Sequence, residues 1–410
     1  MTLALSEHAE QKGGRPVTGE LVALDGAKIV AEAMRQMNPD VVAAYPITPQ
    51  TEIVQTFSEF VANGEVATEF VTVESEHAAM SACIGAAASG GRVQTATTSA
   101  GMAFMWEVLY VAASCRLPIV MHFVNRALSA PLNIHCDHSD SMGARDSGWI
   151  QLYAENVQEA YDNAIQSVRI AEHPDVLTPV LHSQDGFIIS HGMERAEILP
   201  DAAVQKFIGP FKAPISLLDV DNPITVGPVD LQDYYFEHKR QQVDGMDKAL
   251  QAIIEVGSEW GKLTGRPYGL IQPYMMDDAD VAIAVLGSTA GTVRTAVDEL
   301  RAEGIKAGLL KIRCFRPFPS AAVAEALRHV KALAVLDRAI SFGGAGNPLF
   351  MDVCTAMVSR DVRVPAVNYV YGLGGRDTVT SQMRQVYQDL LQISADGRTG
   401  PVSRYLGLRE

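Results

Sequence analysis

Apolar positions gather into short runs separated by longer mixed segments. Val41–Tyr45, Phe70–Val73, Arg92–Thr97 and Ile119–Val124 are rich in Val, Ala, Phe and Ile and read as buried strands. Between them, Glu76–Ala88 and Met102–Ser114 are Ala-rich or amphipathic and predict helices. Strands that alternate with helices imply a parallel sheet covered on both faces. The run Leu177–His182 is expected to close this first unit. From about Gly192 to Asp280 the pattern weakens. Pro210, Pro214, Pro223 and Pro228 interrupt it, and the charged run Asp230–Asp247 follows, so a long connection with some helix is expected. A structureless loop of that length would be unusual in a compact chain.

A second α/β unit then begins. Val281–Leu286, Lys306–Ile312 and Leu333–Leu336 predict strands. Thr289–Glu303, Pro319–His329 and Thr378–Leu391 predict helices. The chain thus divides into an N-terminal arm (1–20), a first α/β domain (21–195), a connecting segment (196–278), a second α/β domain (279–395) and a C-terminal tail (396–410).

Composition narrows the function classes. A length of 410 residues with 48% hydrophobic and 20% charged residues is an ordinary globular balance. A formal net charge of -15 argues against nucleic acid as a partner, because neutralising phosphates takes an excess of Lys and Arg. No run approaches the roughly 20 apolar residues that a membrane helix needs, and the first twenty residues lack the apolar core of a signal peptide. The expected compartment is therefore the cytoplasm, with no membrane partner. Cysteines stand at 83, 115, 136, 314 and 354, never grouped. Clustered thiolates are what iron–sulfur and structural zinc sites require, so ordinary reduced thiols are expected.

Several polar residues sit where apolar strands end, the position at which open parallel sheets bind ligands. Thr48, in Tyr45-Pro46-Ile47-Thr48-Pro49, has its direction pinned by two prolines, which suits donation to a small anion; a rigid turn before a helix is the simpler reading. Glu74 and Glu76 enter a helix of small apolar residues. At a spacing of two they cannot face the same way, so one would be solvated while the other points into a cleft. A carboxyl group in an apolar cleft can exchange a proton near neutral pH; an ordinary acidic first turn is the alternative. Arg126 ends a third strand, where a guanidinium is either a carboxylate clamp or a packing group. Asp137-His138-Ser139-Asp140 has metal-ligand residue types, but adjacent side chains diverge, so a polar loop is the expectation and no metal site is assigned. Gly343–Asn347 and Gly372–Gly375 are glycine-rich without the spacing of a phosphate fingerprint.

Taken in order, these segments resemble the alpha subunit of pyruvate:ferredoxin oxidoreductase within the 2-oxoacid:ferredoxin oxidoreductase family. The resemblance rests on YPITPQT (45–51), VESEHAAMSACIGAAASGGR (73–92) and TATTSAGMAFMWEVLY (95–110). It continues through 117–156, DGFIISH (185–191), LDRAISFGGAGNPLFMDV (336–353) and YGLGGRD (371–377). The resemblance implies two doubly wound parallel-sheet domains, a thiamine diphosphate pyrimidine-binding domain and a transketolase C-terminal-like domain. It also implies oxidative decarboxylation of pyruvate with coenzyme A to acetyl-CoA, CO2 and reduced ferredoxin, reversible as a pyruvate synthase.

Carried over residue by residue, the resemblance makes Glu76 the activating carboxylate that shares a proton with the aminopyrimidine ring. Thr48 and Arg126 become the substrate-binding pair, while Pro46 and Ser99 join Glu76 as cofactor-binding residues. The family's Gly-Asp-Gly diphosphate motif is missing, and Gln184-Asp185-Gly186 lacks its context. The resemblance therefore places the diphosphate, Mg2+ and [4Fe-4S] clusters on partner subunits. The implied partners are a beta subunit carrying the diphosphate-binding domain, gamma and ferredoxin-like delta subunits or domains, and ferredoxin or flavodoxin. Branched-chain 2-oxoacid specificity, the pyrimidine-binding subunit of an NAD-linked 2-oxoacid dehydrogenase, and a purely structural subunit are the competing readings.

Overall fold

The computed structural model describes residues 16–409, so most of the expected arm lies outside the described residues. Residue 17 is already tied down, with its N–H donating to the Leu263 carbonyl at 2.8 Å. The strands are, in chain order, β1 Glu20–Leu24, β2 Val41–Ala44, β3 Glu69–Thr72, β4 Val93–Thr97, β5 Val120–Asn125, β6 Ile150–Tyr153, β7 Val180–Asp185 and β8 Glu194–Ile198. They continue as β9 Ile271–Tyr274, β10 Val281–Val285, β11 Ala307–Ile312, β12 Cys314–Arg316, β13 Ala332–Asp337, β14 Ala366–Val370 and β15 Ser403–Tyr405.

Two parallel-sheet α/β units result, as the alternating pattern predicts. The first sheet runs β12-β6-β7-β5-β4-β2-β3 and the second β15-β14-β13-β10-β11-β9. Every pairing is parallel except at one edge of each sheet, where β12 on β6 and β9 on β11 are antiparallel. A separate antiparallel ribbon joins β1 to β8. All six residues of β5 are buried, because a strand paired in parallel on both sides and covered on both faces meets no water.

Two features depart from the expected layout. The strand expected to close the first unit starts three residues later, at Val180, and lies inside the sheet between β5 and β6. The sheet ends instead on β12, a strand whose sequence position falls among the strands of the second unit. The charged run at 230–247 is mostly the start of a helix, Tyr235–Thr264. Its second half buries Ala249, Ala252, Ile253, Val256 and Trp260 against the first core.

Helices Gly26–Met37 and Val157–Ala171 share that face of the first sheet. Helices Glu76–Ala88, Ser99–Phe104 and Trp106–Ser114 cover the other. The two units also share one core, in which Met142 and Tyr153 pack with Phe315, Ala339 and residues of the second sheet.

Candidate active site

The parallel direction of β2, β3, β4 and β5 delivers the chain segments after them to one edge of the first sheet, the crevice where such sheets bind ligands. Glu76 opens the helix Glu76–Ala88, whose start is fixed by Ser75: the Ser75 hydroxyl accepts the Ala78 N–H at 3.2 Å. This N-cap satisfies a free helix donor and leaves the Glu76 side chain to point elsewhere. Glu76 is buried, 7% exposed.

What faces Glu76 is Gly101, in the helix that follows β4. A Cβ on Gly101 would lie 2.9 Å from Glu76 Oε1 and 2.3 Å from Thr97 Oγ1. Thr97 Oγ1 is itself buried without a hydrogen-bond partner. A buried carboxylate and an unpaired hydroxyl therefore both pack against Gly101, where a methyl group would collide with them. Buried polar atoms are normally satisfied, so this combination is what a polar ligand edge would complete.

Arg126 and Thr48 meet across the edge. Arg126 Nη1 donates to the Thr48 carbonyl at 2.8 Å and its Nε to the Asn133 carbonyl at 3.1 Å. Arg126 is buried, 8% exposed, while Thr48 and Pro46 are exposed. The turn carrying Thr48 lies close to β5 because Gly186 permits it: a Cβ there would reach 2.3 Å from the Asn125 carbonyl oxygen and 3.0 Å from Pro49. That close approach is the role the fold gives to Gly186 within Gln184-Asp185-Gly186.

Ser99 sits in the left-handed region with φ +44 and is fully buried. Its hydroxyl donates to the Ala127 carbonyl at 2.7 Å, so its side chain is spent on the framework. Asp140 ties the two halves together. Its Oδ2 accepts the N–H of Ser99 (3.0 Å) and of Arg126 (2.8 Å), and its Oδ1 accepts the Asn125 amide (2.9 Å) and the Ser141 N–H (2.7 Å). Burial pushes the Asp140 carboxyl up to about 8, against the pull of the Arg126 N–H and the Asn125 amide. Sequence reasoning singled out this loop but not the role of Asp140; Thr97 and Gly101 lay within the quoted TATTSAGMAF run without being picked out.

The metal-like residues diverge, as adjacent side chains must. Asp137 accepts the Ser139 N–H at 3.0 Å, Asp140 holds the four donors above, and His138 Nε2 meets Asp185 Oδ1 at 2.7 Å. Cys136, His138 and Asp185 do bring possible ligand atoms within 4.8 Å of one another. A cation there would lie beside the Arg338 guanidinium, 3.0 Å from Asp185 Oδ2, and beside a thiol whose pKa burial pushes well up. That chemistry suits an ion-pair network, not a metal. The glycine-rich turn 343–347 is not a phosphate cradle either. The helix after it, Pro348–Val358, is met at its N-terminus by Asp337, which accepts the N–H groups of Leu349 (2.8 Å) and Phe350 (3.1 Å).

Two cavities stand away from Glu76. One of about 360 Å3 is lined by Thr48, Pro49, Lys28, Glu52 and His191. The larger, about 700 Å3, lies under the 211–241 segment. Around the strand-end edge, apolar side chains remain uncovered: Tyr45, Phe104 and Trp106 are all exposed. Among the described residues no helix is long and apolar enough to cross a membrane.

Residues 32–258 match the family model described as pyruvate flavodoxin/ferredoxin oxidoreductase, thiamine diphosphate-binding, and residues 279–383 match pyruvate:ferredoxin oxidoreductase core domain II. The chain is 54% identical over 393 residues to a pyruvate synthase subunit PorA of Thermotoga maritima, covering 95% of this chain and 99% of that one. It is 44% identical, with the same coverage, to a PorA of Methanocaldococcus jannaschii. A ketoisovalerate oxidoreductase subunit VorA of Pyrococcus abyssi is 42% identical over 376 residues, 92% of this chain and 94% of that one. Among solved structures, a 2-oxoglutarate:ferredoxin oxidoreductase from Magnetococcus marinus superposes with a TM-score of 0.72 at 19% identity. That match covers 91% of this chain and 66% of the other, and it speaks to the fold.

Proposed function

Because this chain belongs to the pyruvate flavodoxin/ferredoxin oxidoreductase family, we propose that it is the alpha subunit of a 2-oxoacid:ferredoxin oxidoreductase that acts on pyruvate. On this reading it supplies the pyrimidine side of a thiamine diphosphate site. The observation that carries the site assignment is the buried Glu76 carboxylate together with the unpartnered Thr97 hydroxyl, both packed against Gly101. That pair suits the polar edge of an aminopyrimidine: a carboxylate to share a proton and an unpartnered Thr97 hydroxyl beside it.

When bound, thiamine diphosphate supplies the electron sink that lets a 2-oxoacid lose carbon dioxide. Glu76 holds a proton against the pyrimidine ring and returns it, a general acid–base role. Arg126 binds the substrate carboxylate. Two of its nitrogens rest on carbonyls, which orient the guanidinium without neutralising it, and Nη2 is left to the ligand. The Thr48 hydroxyl donates to the same anion. Pro46 and Pro49 keep that turn rigid beside the cofactor. Ser99, bonded to Asp140 and Ala127, fixes the start of the Gly101 helix beside the cofactor.

The domain division follows from the same proposal: a pyrimidine-binding domain at 21–195, a connection at 196–278 and a transketolase C-terminal-like domain at 279–395. The interval between the two family matches, which end at 258 and begin at 279, supports a break in the connection. The exposed Tyr45, Phe104 and Trp106 suit the docking of a beta subunit that brings the diphosphate site, Mg2+ and the nearest [4Fe-4S] cluster. Gamma and delta functions, coenzyme A and ferredoxin or flavodoxin complete the reaction outside this chain, in the cytoplasm.

The test is an anaerobic assay of the native complex purified through this chain. Dye reduction that requires pyruvate and coenzyme A but not NAD is the expected result, with 2-ketoisovalerate run alongside because of the VorA likeness. Glu76→Gln lowers turnover by about 10²-fold or more while the complex still assembles. Reduction that requires NAD, or full activity in Glu76→Gln, overturns the proposal.

A further inference from the structure

The glycine turn 372–375, set aside above as a poor phosphate cradle, touches the loop that supports Arg126. We infer that this turn of the second unit is a clasp that sets the direction of the Arg126 guanidinium through Asn133. Asn133 is then a positioning residue for the 2-oxoacid carboxylate, an assignment that rests on the role of Arg126 given above.

The contacts run in one chain. Arg126 Nε is held by the backbone carbonyl of Asn133 at 3.1 Å. That carbonyl belongs to a loop with little apolar anchorage of its own, since Leu132 is 74% exposed and Ile134 is exposed as well. Besides the Ala127 N–H, which donates to the His135 carbonyl at 3.0 Å, and the Phe187 ring against His135, what fixes the loop comes from the second unit. Asn133 Nδ2 donates to the Gly374 carbonyl at 3.0 Å, and the Gly375 N–H donates to the Cys136 carbonyl at 2.7 Å. Asn133 Oδ1 accepts the His135 N–H at 2.7 Å, which locks the amide between the loop and the turn. The turn is anchored in its own unit by Arg338, whose Nε donates to the Gly372 carbonyl at 3.2 Å while its Nη1 holds Asp185.

Glycine is required here for two separate reasons. Gly372, Gly374 and Gly375 all have positive φ, at +61, +59 and +78, a region in which other residues are strained. A Cβ on Gly374 would also lie 2.4 Å from Asn133 Nδ2, and one on Gly375 would lie 2.4 Å from His135 Cβ. The face of the turn is therefore filled by the loop, which leaves no cradle for a phosphate. A misplacement of about 1 Å in a substrate-holding group costs up to about 10²-fold, so a loop released at Asn133 reaches the substrate through Arg126.

The experiment uses the complete complex and compares Asn133→Ala, Gly374→Ala, their combination and Arg126→Ala by anaerobic steady-state kinetics. Asn133→Ala and Gly374→Ala are each expected to raise the pyruvate KM about tenfold. The expected kcat stays within about threefold, with the coenzyme A KM and the thiamine diphosphate content unchanged. Both substitutions break one contact, so the double variant is no worse than Asn133→Ala alone. If Arg126→Ala raises the pyruvate KM while both single variants leave it within about twofold, the clasp is refuted and the role of Arg126 stands. If Arg126→Ala also leaves it unchanged, the substrate reading fails and the clasp with it. A loss confined to kcat, or shared equally with coenzyme A, marks a merely structural contact and overturns the inference.

Discussion

Replacing Asp185 with asparagine removes a single charge from the junction of the two units and leaves its shape in place. Asp185 ends β7 in the first sheet. Its partners are His138 at 2.7 Å, Arg338 of the second unit at 3.0 Å and the Ser288 N–H of the second unit at 3.0 Å. The Asp185 and Arg338 side chains are only 1% and 2% exposed. Burial by itself would raise the Asp185 carboxyl, but the charge and hydrogen bond of His138 and the Arg338 guanidinium hold it below the usual range.

A charge pair at that distance is worth ~5 kcal/mol at an effective dielectric near 20, and much of this repays desolvation. Breaking a buried pair by deleting one partner costs ~3–5 kcal/mol. Asparagine keeps an acceptor for Arg338 and Ser288, so the lower end, ~3 kcal/mol, applies. One kcal/mol moves the melting midpoint ~2–4 °C in chains of 150–250 residues and less in a longer one, so a fall of ~5 °C is expected at pH 7. The assay is scanning calorimetry at a fixed scan rate, with Lys248→Met at the exposed Asp244–Lys248 ion pair as the control, expected to move the midpoint by ~1 °C or less.

The pH dependence has a fixed sign. A carboxyl depressed in the folded state stabilises above its unfolded pKa of ~3.9 and loses that contribution as the pH falls through it. The gap between the wild type and Asp185→Asn should therefore shrink on acidification below about pH 4. A midpoint within 1 °C of wild type at pH 7, or a gap that widens in acid, would refute the reasoning.

Three further outcomes follow from the same geometry. Gly101→Ala places a methyl group 2.9 Å from Glu76 Oε1 and 2.3 Å from Thr97 Oγ1 and must push both aside, so thiamine diphosphate titrated into the complex should bind at least about tenfold more weakly; an unchanged Kd would contradict the role of this pair. Asp140 has a folded pKa of about 8, raised above its unfolded value, so its stabilisation is complete below ~pH 4 and is lost as the pH rises toward 8. Asp140→Asn is neutral throughout, so its melting temperature relative to wild type should rise between pH 5 and pH 9, and a flat difference argues against the shift. Cys83 and Cys314 are buried with thiols pushed up to about 12. Alkylation at pH 8 should leave both unmodified in the native protein and label them only after denaturation, as mass spectrometry of the peptides would read.

The sequence carried the fold where periodicity was strong. β2, β4 and β5 were legible as apolar runs, and Thr48, Glu76 and Arg126 were legible because each stands just past such a run. Among the strands it missed are short edge strands, and also β6 and β14, which lie inside their sheets. β12 has three residues, too few to show a period, and belongs to the first sheet only because Cys314 and Arg316 pair with Leu152 and Gln151. The helix Tyr235–Thr264 begins in an exposed polar half, which hides the apolar stripe that follows. The apolar run at 177–182 marked a strand but not its place, since alternation along the chain does not give the order of strands in a sheet.

What the sequence by itself determined is the class of fold, two parallel sheets covered by helices, together with the edge of the sheet at which the polar residues gather. Both follow from local period and from the direction of parallel strands. What only the tertiary structure decided is how those residues are held. Gly101 faces Glu76 from 25 positions away, Asp140 joins Ser99 to Arg126, and Gly374 reaches Asn133 across 241 positions. Such contacts have no local signal, because hydrogen bonds and close approaches depend on distance in space, and chain spacing does not encode it.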